Sequence, residues 1–262
     1  SELVLIYYSI VSFRKICDQL LKDEDIYNYI TNKTDSEDII TSIDTLISLF
    51  KETLIIDNCN EDPKTVVNIF NKGLYEDLDL CEKKYIEHKQ QLDTIQQFLT
   101  GLIKDPVRTH STEKYEIYMQ LTSKRCEKLK SVIEEYLLKY APKGKEKNLL
   151  LSFNSDYDGK KVTFELDLHN FKYSTGTSGN KKITSPLLNQ LYIYMMQDVS
   201  NLKDLMKIYF NRFNNTLKTY YAEFTNIITN VSNVDIVFTK SYLADKNNYC
   251  RPVIENQYED VS

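Results

Sequence analysis

Between Leu188 and Val231 the apolar residues Leu188, Leu191, Met195, Val199, Leu202, Met206, Tyr209, Phe213, Leu217, Tyr220, Phe224, Ile228 and Val231 recur at steps of three and four, with neither glycine nor proline among them. Residues at those steps fall on one face of an α-helix, because 3.6 residues make a turn. A single helix of that extent runs roughly 65 Å at 1.5 Å per residue, longer than a compact domain needs, and implies a lever or coiled-coil arm. The alternative is two ordinary helices parted near residues 211–215, where Asn-Arg-Phe-Asn-Asn lowers helix propensity. A second seam of the same rhythm holds Leu78, Cys81, Tyr85, His88, Leu92, Ile95, Leu99 and Leu102. Any fold for this chain must accommodate both.

The texture between the seams is different. Tyr115, Ile117, Met119 and Leu121 alternate with polar residues, as do Val162, Phe164, Leu166 and Leu168, while 149–153 is a short apolar run. Period-two alternation is the mark of a half-buried strand, and Asp158-Gly159 is a turn signal before Val162. A β-rich module is therefore expected over about 109–182. Ahead of the first seam, Tyr7, Ile10, Val11, Phe13, Ile16 and Leu20 give one helical face. Ile39, Ile40, Ile43, Leu46, Ile47 and Phe50 give another, with Asp35 or Ser36 as a cap and a break at 58–64. The expected fold is mainly α with a small inserted β-rich module: core helices plus a long helical hairpin with a sheet at its tip. Six glycines and five prolines in 262 residues fit long helices better than a turn-rich sandwich or barrel.

A net charge of −5 argues against a protein that coats nucleic acid with its whole surface, though not against one with a local basic patch. The five cysteines, Cys17, Cys59, Cys81, Cys126 and Cys250, are odd in number and form no CxxC or CxxH pair. A zinc site is not expected, and a reducing intracellular compartment is. The apolar run 3–13 is too short to span a bilayer, lacks the basic start of a signal peptide, and reads as a buried helix.

The stretch Phe171-Lys-Tyr-Ser-Thr-Gly-Thr-Ser-Gly-Asn-Lys-Lys-Ile-Thr-Ser-Pro186 invites a nucleotide-binding reading. A phosphate-cradling Walker loop needs four residues between its glycines and then Lys-Ser/Thr. Only two separate Gly176 from Gly179, and Asn180 precedes the lysines. The spacing fits a turn before a helix, with Gly176 and Gly179 supplying unusual backbone angles, Thr184 or Ser185 as N-cap and Pro186 at the first helical position. Lys181 and Lys182 can add a phosphate contact there.

Lys124, Arg125, Lys128 and Lys130, then Lys139, Lys143, Lys145 and Lys147, make the β-rich region locally basic. That is either a solvated face or a phosphate-binding one. Glu76, Asp77, Asp79 and Glu82 suit the positive end of a helix. His88, His110 and His169 stand in three unrelated contexts, and no nucleophile or metal motif accompanies them. On the seam, His88 is expected to be structural rather than a ligand.

The order of these parts resembles the core, lever and clamp region of the MutS family of DNA mismatch-repair proteins. The resemblance is carried by Asn71-Lys-Gly-Leu-Tyr-Glu-Asp-Leu-Asp79 at the start of an outgoing lever and Lys114-Tyr-Glu-Ile-Tyr-Met-Gln-Leu-Thr-Ser-Lys124 as a clamp strand. The stretch 171–186 resembles the clamp exit. Val234-Asp-Ile-Val237 and Asn248-Tyr-Cys-Arg-Pro-Val-Ile254 resemble elements at the returning lever's end. The strand at Tyr115 lacks the family's glycine-rich lead, and 131–170 is longer than a minimal clamp.

The resemblance implies a helical core at 1–70, an outgoing lever at 71–108 and a clamp at 109–183. A returning lever at 184–233 and a return to the core at 234–262 complete it, the last leading to an ATPase domain. It implies sequence-independent contacts to duplex DNA, expected at Lys124, Arg125, Lys128, Lys181 and Lys182 around the exit turn at Gly176 and Gly179. ATP and Mg²⁺ belong by implication to the parent protein, which is expected to pair with a second MutS-like subunit, away from any membrane. This chain alone is expected to be no enzyme and to hold no metal or cofactor. The rival expectation is a non-enzymatic helical-arm scaffold whose β tip binds a protein.

Overall fold

A computed structural model describes residues 2–31, 36–61, 67–112, 117–140, 149–176 and 179–250. Lys114, Tyr115, Lys143, Lys145, Lys147 and the Arg-Pro pair at 251–252 lie outside the described residues. The chain is mainly α-helical with a small antiparallel β module. It divides into two compact units, one drawn from 1–71 and 210–262 and the other from 72–209.

The first unit is helical. In α1 (Glu2–Leu20) the residues Val4, Tyr7, Ile10, Phe13 and Cys17 are buried, and in α3 (Ser36–Thr53) so are Ile39, Ile43, Leu46 and Phe50. Both sets keep helical spacing, so each helix presents one apolar stripe to the shared core. Phe50 sits between Tyr7, at 5.9 Å, and the edge of Phe213, at 5.5 Å. Arg14 bridges the two helices through Asp44 at 2.9 Å and also meets Asp18 on its own helix. A short helix not foreseen from the sequence, α2 (Glu24–Thr31), adds Tyr27 and Ile30 to the interior.

The long C-terminal seam is two helices, α6 (Pro186–Thr219) and α7 (Tyr221–Lys246). The break is at Tyr220 and not at residues 211–215, whose asparagines stay helical; Asn215, for one, accepts from Lys218 Nζ at 3.1 Å. At the true break Thr216 and Thr219 return their hydroxyls to the carbonyls of Arg212 and Thr216. The Tyr220 N–H reaches only three residues back, to Leu217. Hydroxyls that compete for backbone carbonyls weaken a helix where they cluster. The break also shifts the phase: α7 buries Ile227 and Asn230, and exposes the expected seam residues Ile228 (63%) and Val231 (42%).

In the second unit α4 (Glu76–Ile103) and the part of α6 up to Tyr209 run antiparallel. Tyr209 Oη donates to Asp77 at 2.7 Å, Asp198 meets Cys81 and His88, and Leu99 shares a core with Leu188. A four-stranded antiparallel sheet closes this hairpin: β1 (Arg108–Ser111), β2 (Ile117–Thr122), β5 (Lys172–Thr175) and β6 (Asn180–Thr184), in the order β1-β2-β6-β5. Helix α5 (Ser123–Tyr140), which the β-rich reading of this region omitted, covers one side of the sheet with Cys126, Leu129 and Ile133.

Strands β3 (Leu149–Asn154) and β4 (Lys161–Leu166) form a separate hairpin that folds back along α4. Its turn, with Gly159 at φ +72°, is held by the Lys83–Asp158 ion pair at 2.8 Å and by Lys72 over the Tyr157 ring. Gln90 bonds both Asn154 and Asp156.

Candidate nucleic-acid interface

Paired residues on antiparallel strands point to the same side of a sheet, and neighbours along a strand to opposite sides. The register therefore assigns every side chain of this sheet to a face. Thr109, Met119, Ile183 and Tyr173 form one cross-strand row, and Leu121, Lys181 and Thr175 the next. These rows face α5 and the hairpin core, where Met119, Leu121 and Ile183 are buried. That side is dry. Burial pushes the Cys126 thiol up and the Tyr173 phenol up to about 12.

The opposite rows are Arg108, Gln120, Lys182 and Ser174, then His110 with Tyr118 and Thr184 with Lys172, and Thr122 with Asn180. None of these outward residues is acidic. Arg108, His110 and Lys172 are exposed and Lys182 is half-exposed. Tyr118 is flanked by the His110 ring, stacked at 5.7 Å, and by Lys182 Nζ, 4.3 Å above its centre. The result is a polar, cationic, partly aromatic face on a chain whose net charge is −5.

The five expected contact residues do not assemble into one patch. Lys182 lies on the outer face. Lys181 lies in an inner row, its amine 3.3 Å from Thr175 Oγ1. On α5, Lys124 is exposed, whereas Arg125 and Lys128 are drawn to Asp105 at 3.3 and 3.5 Å. Lys128 also donates to the Ile103 carbonyl near the end of α4, where a cation suits the helix dipole.

Both turn glycines have local reasons. Gly179 has the expected positive φ, +77°, but Gly176 does not; its reason is steric, since a Cβ there would sit 3.1 Å from the Asn180 carbonyl oxygen and 3.3 Å from Lys182 Cγ. Ser123 Oγ donates to the Gly179 carbonyl, fixing this turn to the start of α5. Ser185 then caps α6 by accepting from the Leu188 N–H at 3.1 Å.

The sequence reading overlooked Arg108 and Lys172 and gave His110 no role, and only strand pairing brings them beside Lys182. Of the other candidates, His88 Nδ1 lies 2.6 Å from Asp198 Oδ2 and ties α4 to α6, the structural place expected for it. Among the described residues no group of three or more His, Cys, Asp or Glu side chains is placed to hold a metal ion, and no helix is long and apolar enough to cross a membrane. No protein-family model matches the chain, and no curated protein matches it either.

Proposed function

We propose that this chain grips duplex DNA through the outer face of its four-stranded sheet, as the clamp and lever part of a MutS-like DNA-repair protein. The observation that carries the reading is the acid-free outer face holding Arg108, His110, Lys172 and Lys182 on an otherwise acidic chain. Such a face attracts a phosphate backbone whatever its base sequence. The helical hairpin behind it suits a clamp at the end of a lever, and the resemblance of 71–79, 171–186 and 234–254 adds to the reading. On the same proposal, ATP and Mg²⁺ act in a further domain of the parent protein, and a second MutS-like subunit completes the grip. The lever passes rigid-body motion between the two.

The test is fluorescence anisotropy of a labelled 30-mer duplex, matched and mismatched, titrated at low and near-physiological salt. The reading expects salt-sensitive binding, indifferent to sequence and mismatch, that is lost in an Arg108→Glu/Lys182→Glu variant. Absence of binding at low salt, or binding that salt does not weaken, would refute it.

A protein-partner reading has one observation in its favour, in the helical unit. On α7, Phe238 and Tyr242, one helical turn apart on the same face, are 70% and 55% exposed, apolar rings of the kind partners cover.

A further inference from the structure

At the corner where β2 passes into α5 lies a notch of about 210 Å³, lined by Pro106, Arg108, His110, Gln120, Leu121, Thr122, Arg125 and Asn180. We infer that this notch seats a single phosphate group, and that in the intact function the phosphate belongs to the nucleic-acid backbone lying across the sheet. The inference rests on the DNA-gripping reading for the source of the phosphate, but not for the seat itself.

Three observations converge on it. The first is the lining. Two guanidinium groups, an imidazole, two carboxamides and a hydroxyl border the notch, and no carboxylate does. Guanidinium forks match phosphate oxygens in pairs, and hydroxyl and amide groups donate the remaining bonds. The second is that four of these side chains have no other polar partner. Among the described residues, the side chains of Arg108, Gln120, Thr122 and Asn180 make no hydrogen bond or ion pair. Arg125 is held to one side by Asp105, at 3.3 Å. Asp105 itself does not line the notch; it is a positioning residue that aims a guanidinium while offsetting part of its charge, so Arg108 is the less compensated cation of the seat.

The third is size. A volume of about 210 Å³ holds roughly seven waters at about 30 Å³ each, enough for a phosphate and part of its hydration. It falls below the 300–1,000 Å³ usual for sites that enclose an organic ligand. The rest of the molecule must therefore stay outside. Among the described residues, a continuation free of acidic side chains is the outer sheet face, where Lys182 and Lys172 lie. A backbone fits that demand, because one phosphate enters while its neighbours meet the sheet.

The experiment has two arms. In the first, inorganic phosphate is titrated into the ¹⁵N-labelled chain while the side-chain N–H signals of Arg108, Arg125, Gln120 and Asn180 are followed. The expectation is saturable shifts in these signals at millimolar phosphate, absent in Arg108→Gln, with the Gln90 side-chain amide unmoved. In the second, duplex binding is measured for the charge-neutral variants Thr122→Val and Asn180→Ala beside Lys182→Ala, with melting curves to show that each is folded.

A seat loses several-fold affinity on a charge-neutral change while the salt slope stays constant. A diffuse cationic field responds only to Lys182→Ala. If phosphate moves none of the four signals and the neutral variants bind the duplex like the parent chain, the seat is overturned and the DNA-gripping reading stands. If phosphate fills the notch but no duplex binds at low salt, the seat stands and the DNA-gripping reading falls.

Discussion

Lys181 and Lys182 are adjacent in sequence, yet strand geometry sends them to opposite faces, and this yields a sharp prediction. Each phosphate neutralised by a cation contributes about −0.9 to the slope of log affinity against log salt. With Arg108, Lys172 and Lys182 as the charged outer-face residues, the slope is about −2.7. Raising salt from 50 to 200 mM then weakens duplex binding about 40-fold. Replacing Lys182 by alanine takes one cation from the contact, so the slope falls to about −1.8 and the same salt change costs only about 12-fold.

Lys181→Ala removes the same charge from the chain but from the inner face, beside Thr175, and should leave the slope near −2.7. The assay is anisotropy of a labelled duplex at three or more salt concentrations at pH 7.5. Loss of the Lys182–Tyr118 contact at 4.3 Å affects stability by about 0.5–1 kcal/mol and leaves the slope alone, so the slope is the cleaner readout. Equal reductions for the two lysine variants would refute the assignment of faces. A larger effect for Lys181 would invert it.

Four further outcomes follow from the geometry. Phe50→Ala removes a fully buried ring packed on Tyr7 and Phe213; urea unfolding of the helical unit should show a loss of about 3–5 kcal/mol. Ser185→Ala deletes the cap of α6 and should cost about 1 kcal/mol, with Ser185→Thr restoring most of it in thermal melts. Because burial raises Tyr173 to about 12, its neutral form is favoured in the fold. Its contribution is complete below pH 10 and lost as pH rises towards 12, so Tyr173→Phe should flatten stability against pH in that window. Thiol-reagent kinetics at pH 8 should find Cys250 fast and Cys17 slow, since Cys250 is exposed and burial pushes Cys17 up to about 11.

The helices were legible because burial on a helix leaves a periodic trace. Leu78, Cys81, Leu92, Ile95 and Leu99 were all named from spacing alone, and all are buried. Helix α5 left the same trace at Cys126, Leu129 and Ile133, but its dense lysines drew the eye to charge before period. The break at Tyr220 was less legible, because asparagines looked like the weaker helix formers while the threonines acted through backbone hydrogen bonds. One out-of-phase residue there was enough to exchange Ile228 for Ile227.

The candidate interface was the least legible part, for a reason that goes beyond this chain. Strand β1 reads Arg-Thr-His-Ser, with no apolar residue to announce a face. Its Arg108 and His110 acquire a direction only from pairing with Gln120 and Tyr118. Lys182 joins them because β6 pairs with β2 in a register that sets Ile183 opposite Met119 in the core. The buried pair thus decides which lysine meets solvent on the outer side, and a slip of one residue would exchange Lys182 for Lys181. A basic face built this way is specified by its hydrophobic partner row. Substitutions at Met119 or Ile183 that loosen register should therefore alter the salt slope as surely as substitutions of the lysines themselves.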